Sequence, residues 1–252
     1  YMEPCGGNRD QFAEIRFDRS GGATVMIGSQ STGQGHETAY AQLVADQLGL
    51  APERVRVIQG DTAVVGYGRG TSGSRSLPVG GAALHIAGER VIAKARRIAA
   101  HLLEASEADI EHERERFAVK GTDRALGFAE IVAAAYEPAR LPEGLDAGLD
   151  EIAHYMARPV TYPNGCHVCE IEIDRETAEP RVVRYTIVDD YGRIVNPMLV
   201  EGQVHGGVAQ GIGQALMEDC VYDADGEPLT GSFMDYQMPR AADLSAFDLA
   251  LN

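Results

Sequence analysis

The chain has 252 residues, 44% hydrophobic and 24% charged, the composition of a globular protein that buries a sizeable core in one large domain or two smaller ones. Asp and Glu number 38 against 22 Lys and Arg, a net charge of −16, so a phosphate backbone or anionic lipid surface is repelled, and neither nucleic acid nor a membrane is expected as a partner. No run approaches the roughly 20 apolar residues of a membrane span and no leader opens the sequence, so a cytoplasmic location is expected; the start at Tyr1, without methionine, reads as a piece of a longer chain.

Ala13, Ile15 and Phe17 alternate with Glu14, Arg16 and Asp18; a turn at Asp18–Gly22 and a second strand at Thr24–Gly28 complete a hairpin. After a polar loop, Tyr40, Leu43, Val44 and Leu48 fall at helical spacing and Gly49 stops the helix. Val55 and Val57 then mark a strand, so the opening unit reads β-β-α-β. The Gly- and Ser-rich stretch from Gly66 to Ser76 precedes Pro78 and a long helix over Val79–Glu104, whose small apolar residues form one stripe. The charged stretch Glu104–Arg116 reads as a solvated helix end and turn, Phe117–Lys120 as a short strand and Phe128–Tyr136 as a helix.

Recurring Pro and Gly between Glu137 and Gly165 mark the subdomain crossing, placed here between residues 150 and 151. Beyond it, strands over His167–Asp174 and Arg181–Val188 and a helix over Leu199–Glu218 repeat the opening grammar, and the text from Glu14 to Arg19 is echoed from Glu170 to Arg175. The expected fold class is therefore α+β, two related subdomains, 1–150 and 151–252, with mixed β-sheets packed by helices.

Four cysteines are too few for a disulfide framework in this length. Cys166-His167-Val168-Cys169 invites a zinc or redox reading, but in a strand the two sulfurs point to opposite sides, and no second CxxC or histidine pair accompanies them.

Three glycine-rich segments sit at helix starts or within a helix. In Ser31–Thr38 the glycines permit close backbone approach, and the free N–H groups at a helix start favour an anion, with phosphate the natural choice. Gly68–Ser76 adds four hydroxyls and two guanidiniums. Five glycines between Glu201 and Gln214 each cost about 0.5–1 kcal/mol relative to alanine in a helix. Either a tight helix–helix contact or a ligand offsets that cost, and Gln203, Gln210 and Gln214 form a neighbouring amide stripe. Gly68–Gly73 satisfies GxGxxG but lacks a strand running into it and an acidic residue about 20 positions on, so a Rossmann site is not expected. No Walker lysine and no GxSxG elbow occurs, and His36 and His205 read as structural.

At these same segments, Thr32-Gly33-Gln34-Gly35-His36-Glu37-Thr38, Gly70-Thr71-Ser72-Gly73-Ser74-Arg75-Ser76 and Gly202-Gln203-Val204-His205-Gly206-Gly207, the chain resembles the molybdenum-binding large subunit of the xanthine dehydrogenase and aldehyde oxidase family. Within it the chain is similar to the branch that holds aerobic carbon monoxide dehydrogenase large chains. The resemblance implies a molybdenum cofactor-binding fold, molybdopterin with molybdenum in its cytosine dinucleotide form, and a molybdenum hydroxylase acting on an aldehyde, an N-heterocycle or carbon monoxide. It implies partner subunits carrying 2Fe-2S and FAD, assembled as a homodimer of heterotrimers, and a small-molecule substrate.

Residue by residue, the resemblance implies that Gln34, Gly35 and His36 line the cofactor. Thr71, Ser72, Gly73, Ser74, Arg75 and Ser76 would bind its phosphate and pterin oxygens, and Gln203 would donate an amide bond. The family's base glutamate belongs to a Gly-x-Gly-Glu motif downstream of the glutamine-rich helix, which this sequence does not contain. The upstream glycine-phenylalanine loop and the substrate loop are also missing. No catalytic residue or metal ligand is assigned, and the chain alone is expected to show no turnover. The alternative on the same loops is a non-catalytic phosphate- or nucleotide-binding module.

Overall fold

A computed structural model describes every residue except Asn8, Pro159 and Asn252. The chain forms two compact units, one of Pro4–Thr161 and one of Tyr162–Asn252 together with Tyr1–Glu3.

In the first unit, Asp10–Phe17 (β1) and Ala23–Ile27 (β2) pair antiparallel, and Asp18 Oδ1 accepts from the Ser20 amide at 2.8 Å to close the turn. His36–Leu48 (α1) ends at Gly49, whose φ of 73° is the left-handed conformation a glycine stop supplies. Val55–Ile58 (β3) then pairs parallel with β2. The long helix enters through a π-helical turn, Ser76–Gly81, before Ala82–Leu102 (α2). Ile110–Glu113 (β4), Arg116–Val119 (β5) and Ala125–Gly127 (β6) make a small antiparallel sheet beside Phe128–Ala135 (α3). Glu151–Met156 (β7) returns to β1, giving a four-stranded sheet in the order β3-β2-β1-β7.

The core lies between this sheet and the two long helices: Ile15, Val25 and Ile27 meet Tyr40, Val44 and Leu48 of α1 and the alanine stripe of α2. Small side chains on α2, among them Ala83, Ala87, Ala95 and Ala99, let that helix lie close to the strands.

Four strands differ from the sequence reading, one of them the three-residue β6, too short to carry a period. β4 lies in the stretch read as a helix end and turn, because Ile110 is buried beside Phe117 while its charged neighbours stay wet. β7 lies in the stretch read as a crossing; only Ala153 of its six residues is buried, so backbone pairing with β1 rather than apolar alternation makes it a strand. That pairing also moves the division between units from residue 150 to Thr161. The fourth, Phe247–Leu251 (β10), carries alternating Phe247, Leu249 and Leu251, a legible but short signal.

In the second unit Asn164–Ile173 (β8) and Pro180–Asp190 (β9) form an antiparallel hairpin, and Pro197–Leu216 (α4) leads to β10, parallel to β9. Asn196 caps α4, its Oδ1 accepting from the Leu199 amide at 3.0 Å, with Pro197 in the first turn. Val204, Val208 and Ile212, each four residues apart, bury against Ile187 of β9. Each unit therefore contains antiparallel hairpin, helix and a third strand parallel to the second, in orders β3-β2-β1 and β10-β9-β8. The echoed hexapeptides end β1 and β8 alike, and Asp174 Oδ1, like that of Asp18, accepts turn amides, here from Glu176 and Thr177.

Candidate functional site

In the first unit the second glycine-rich segment packs against Gly28–Gln30, between the end of β2 and the first segment. Gly28 and Gly68 touch backbone to backbone, and the Gly70 amide donates to the Gly28 carbonyl at 3.0 Å. Thr71 Oγ1 donates to the Gln30 carbonyl at 2.7 Å and accepts from the Gln30 amide at 3.3 Å. Because that proton is committed, Ser76 is the donor in the 2.8 Å contact between the two hydroxyls. Tyr40, buried on α1, donates to the Ser76 carbonyl at 2.8 Å and meets Ser29 Oγ at 3.0 Å. A cavity of about 150 Å³ opens here, lined by Ser29, Gln30, Asp61 and Thr62 with Gly28 and Gly68.

At the start of α1, Gly35 is left-handed (φ 72°) and no side chain caps the helix. First-turn N–H groups that lack a cap attract an anion. His36 is buried, 8% exposed, and its Nδ1 has no hydrogen-bond partner among the described residues. Burial holds its pKa below the ordinary 6.5, so the imidazole is neutral, offering one donor and one acceptor. Gln34 Oε1 accepts from the Thr32 amide at 2.5 Å, which leaves the carboxamide nitrogen as the end to offer elsewhere. Glu37 faces sideways, accepting from Gln59 Nε2 at 2.7 Å.

The segment Thr71–Ser76 divides in two. Thr71, Ser72, Gly73 and Ser74 are exposed, whereas Arg75 and Ser76 are buried. Gly70, Gly73 and Ser74 all take positive φ, and for Ser74, at 50°, that conformation costs about 1–2 kcal/mol. The loop is pinned where it turns, with the Gly6 amide donating to the Gly73 carbonyl at 3.0 Å. Hydroxyls and main-chain groups of Ser72–Ser74 can reach a ligand. The guanidinium of Arg75, only 1% exposed, faces inward to main-chain oxygens.

The third segment forms α4 in the second unit. Cβ atoms built on Gly202, Gly206, Gly207 or Gly211 would meet nothing within 4 Å, so these glycines face open space; only Gly213 is packed, against Glu218 and Pro239. Gln203 is exposed at the mouth of a cavity of about 510 Å³ between α4 and the sheet, lined also by His167, Cys169, Tyr185, Val204 and Ile212. His205 packs edge-on against Phe247, centroids 5.3 Å apart, a structural placement. Cys166 and Cys169 are both free and exposed, and among the described residues no group of three metal-ligating side chains gathers.

Sequence reasoning missed the supports of this architecture. Gln11 lies buried under the second loop, and Asp189, buried in the other unit, accepts from Tyr191 at 2.6 Å and pairs with His167 Nε2 at 3.1 Å. A lone polar residue in a strand gives no signal of its partners. The donors along these loops, namely hydroxyls, a carboxamide, a neutral imidazole and uncapped N–H groups, suit an oxygen-rich anionic ligand, while Asp61 gives the neighbouring cavity an acidic wall. The partnerless His36 Nδ1 and the glycine-lined approach both fit such a group.

The molybdopterin cofactor-binding domain family matches residues 1–245, which include all three segments. The carbon monoxide dehydrogenase large chain of Hydrogenophaga pseudoflava is 43% identical over 231 residues, 91% of this chain and 28% of that protein. Subunit gamma of the 6-hydroxypseudooxynicotine dehydrogenase complex of Paenarthrobacter nicotinovorans is 38% identical over 98% of this chain and 31% of its own length. The crystal structure of a Cu,Mo-CO dehydrogenase in the carbon monoxide reduced state superposes with a TM-score of 0.92 at 36% identity, covering 100% of this chain and 33% of that one. The chain thus spans about a third or less of the length of the relatives it matches. With the family matching almost end to end and the fold reproduced, the chain belongs to the molybdopterin cofactor-binding domain family.

Proposed function

We propose that this chain forms part of the catalytic subunit of a molybdenum hydroxylase and supplies protein donors to its molybdopterin. The observation that carries the reading is the packing of the second loop against the end of β2 just before α1, together with an uncapped start of α1 whose His36 Nδ1 has no partner among the described residues. In this reading Gln34, Gly35 and His36 hold the pterin end. Ser72, Gly73 and Ser74 bind phosphate and pterin oxygens through hydroxyls and main-chain groups, Thr71, its hydroxyl already committed to Gln30 and Ser76, contributes through its main chain, and Gln203 donates an amide bond.

When bound, molybdopterin supplies a two-electron oxidation coupled to transfer of a water-derived oxygen. The residues of this chain bind and orient it: neutral His36, whose ring also bonds to Gln59, offers its unpartnered Nδ1, and the uncapped start of α1 favours negative charge. The proposal extends to the cytosine dinucleotide form, to partner subunits carrying 2Fe-2S and FAD in a homodimer of heterotrimers, and to a cytoplasmic enzyme acting on carbon monoxide, an aldehyde or an N-heterocycle. Among the described residues no helix is long and apolar enough to cross a membrane. A free-standing nucleotide-binding module has no support, since the family match takes in both loops.

The test is metal and pterin analysis of the full-length subunit purified with its partners, followed by assays with the three substrate classes. Molybdenum and pterin in equal amounts are expected, reduced in Gln34→Ala, His36→Ala and Gln203→Ala. A well-folded complex without either component would sink the proposal.

A further inference from the structure

Arg75 stands in the second loop segment, yet it is among the largest fully buried side chains. Its Nη1 donates to the Gly70 carbonyl at 2.6 Å, and its Nη2 donates to Gln11 Oε1 at 2.6 Å and to the Asp10 carbonyl at 2.5 Å. The side chain thus ties three points: the residue that opens the exposed turn, its own position at the end of that turn, and the first two residues of β1. Between the two ends lie Thr71, Ser72, Gly73 and Ser74, the last in left-handed backbone that a non-glycine residue does not favour unaided. A second strut runs outside, where Arg69 and Tyr67 both donate to the Asp10 carboxylate. A planar fork satisfying several oxygens at fixed angles suits this task, and an ammonium cannot span the same acceptors.

We infer that Arg75 is a positioning residue: it sets the shape of the Gly70–Ser74 turn from beneath, through Gly70, Asp10 and Gln11, and touches no ligand atom. The inference rests on the proposed cofactor reading for its consequence, and on the chain's own contacts for its geometry. It differs from the expectation carried by the resemblance, in which Arg75 binds cofactor oxygens itself. Gln11 is the informative partner. Its Nε2 is buried with no acceptor among the described residues, so Gln11→Glu places a second oxygen there, keeps the acceptor for Arg75 and cancels the guanidinium charge locally.

The experiment compares the full-length subunit, in complex with its partners, as wild type, Arg75→Lys and Gln11→Glu. Amide hydrogen exchange over residues 70–74 is read in preparations stripped of cofactor, and molybdenum and pterin content in those that carry it. Arg75→Lys is expected to speed exchange of the turn about tenfold or more and to cut retained molybdenum by about the same factor, while exchange in α1 and α2 stays unchanged. Gln11→Glu is expected to leave both readouts near wild type. Unchanged exchange of the turn in Arg75→Lys would overturn the inference. So would a Gln11→Glu protein with a protected turn but depleted molybdenum, because the ligand would then be sensing the arginine charge. If Arg75→Lys does not fold, the Gln11→Glu comparison decides alone. Wild type lacking molybdenum and pterin refutes the cofactor reading, and the exchange data still decide the positioning role.

Discussion

Gly28 and Gly68 lie in direct backbone contact: a Cβ on Gly28 would stand 2.4 Å from Gly68 Cα, and one on Gly68 would stand 2.4 Å from the Gly28 carbonyl oxygen. Neither glycine has a positive φ, so space alone, and not backbone conformation, demands the missing side chain. Alanine at either position must push two main chains apart. Gly28→Ala and Gly68→Ala should each cost about 1–3 kcal/mol in equilibrium unfolding and lower cofactor retention together with stability. A Gly68→Ala protein as stable as wild type would show that the loops are not pressed together.

Thr71 carries three hydrogen bonds on one hydroxyl, to the Gln30 carbonyl, the Gln30 amide and Ser76. Thr71→Val keeps the shape and removes all three, leaving polar groups unpaired, so a loss of about 1–3 kcal/mol is expected in denaturant unfolding. Thr71→Ser, which keeps the hydroxyl, should recover most of it. Equal losses in both variants would assign the effect to the methyl group's packing instead.

Burial pushes the Tyr40 hydroxyl from the ordinary 10.0 up to about 12. The folded value lies above the unfolded one, so the stabilisation from the neutral phenol is complete below pH 10 and drains away as pH rises toward 12. Absorbance titration at alkaline pH should show a late-ionising class of tyrosines that shrinks in Tyr40→Phe. Tyr136, also raised to about 12 by burial and by its bond to Asp150, should remain in that class. An unaltered late phase in Tyr40→Phe would contradict this placement.

Gly206 on α4 faces open space, where a methyl group meets nothing within 4 Å. Gly206→Ala should therefore stabilise the chain by about 0.5–1 kcal/mol through helix propensity alone. If these glycines exist to let a ligand approach, the same variant of the full-length subunit should retain less molybdopterin. A gain in melting temperature with no loss of cofactor would separate the glycine face from the binding function.

Asp189 is 1% exposed, and its carboxylate accepts from Tyr191 and pairs with His167. Asp189→Ala removes the hydrogen bonds to both Tyr191 and His167, which keep their contacts to Tyr1 and Tyr185, at an expected cost of about 1–3 kcal/mol in thermal or denaturant unfolding. Tyr191→Phe alone should cost less, because His167 still pairs with the carboxylate.

The elements with strong local patterns were legible. The hairpin of β1 and β2, α1 with its Gly49 stop, the alanine stripe of α2 and the repeat of hairpin and helix in the second unit all follow from periodicity and punctuation. The second glycine segment was legible as a place of close backbone approach, as Gly68 and Gly73 show, whereas its partner Gly28 lies outside the segments singled out. β7 was not, since one buried residue in six carries no period and its partner lies far back in the chain. The roles within Gly70–Ser76 were not legible either, because an arginine among serines and glycines reads as a ligand donor whichever way it points.

Residue order by itself determined where backbone can turn, which stripes must be buried and which short segments are rich in donors, because these depend on neighbours within a few positions. Only the tertiary structure decided that Arg75 serves Gly70 and β1 from below, that Gly28 and Gly68 meet, and that most glycines of α4 stand free. Those facts arise from segments brought together across tens of residues, where packing and unsatisfied hydrogen bonds, not local preference, select the partner.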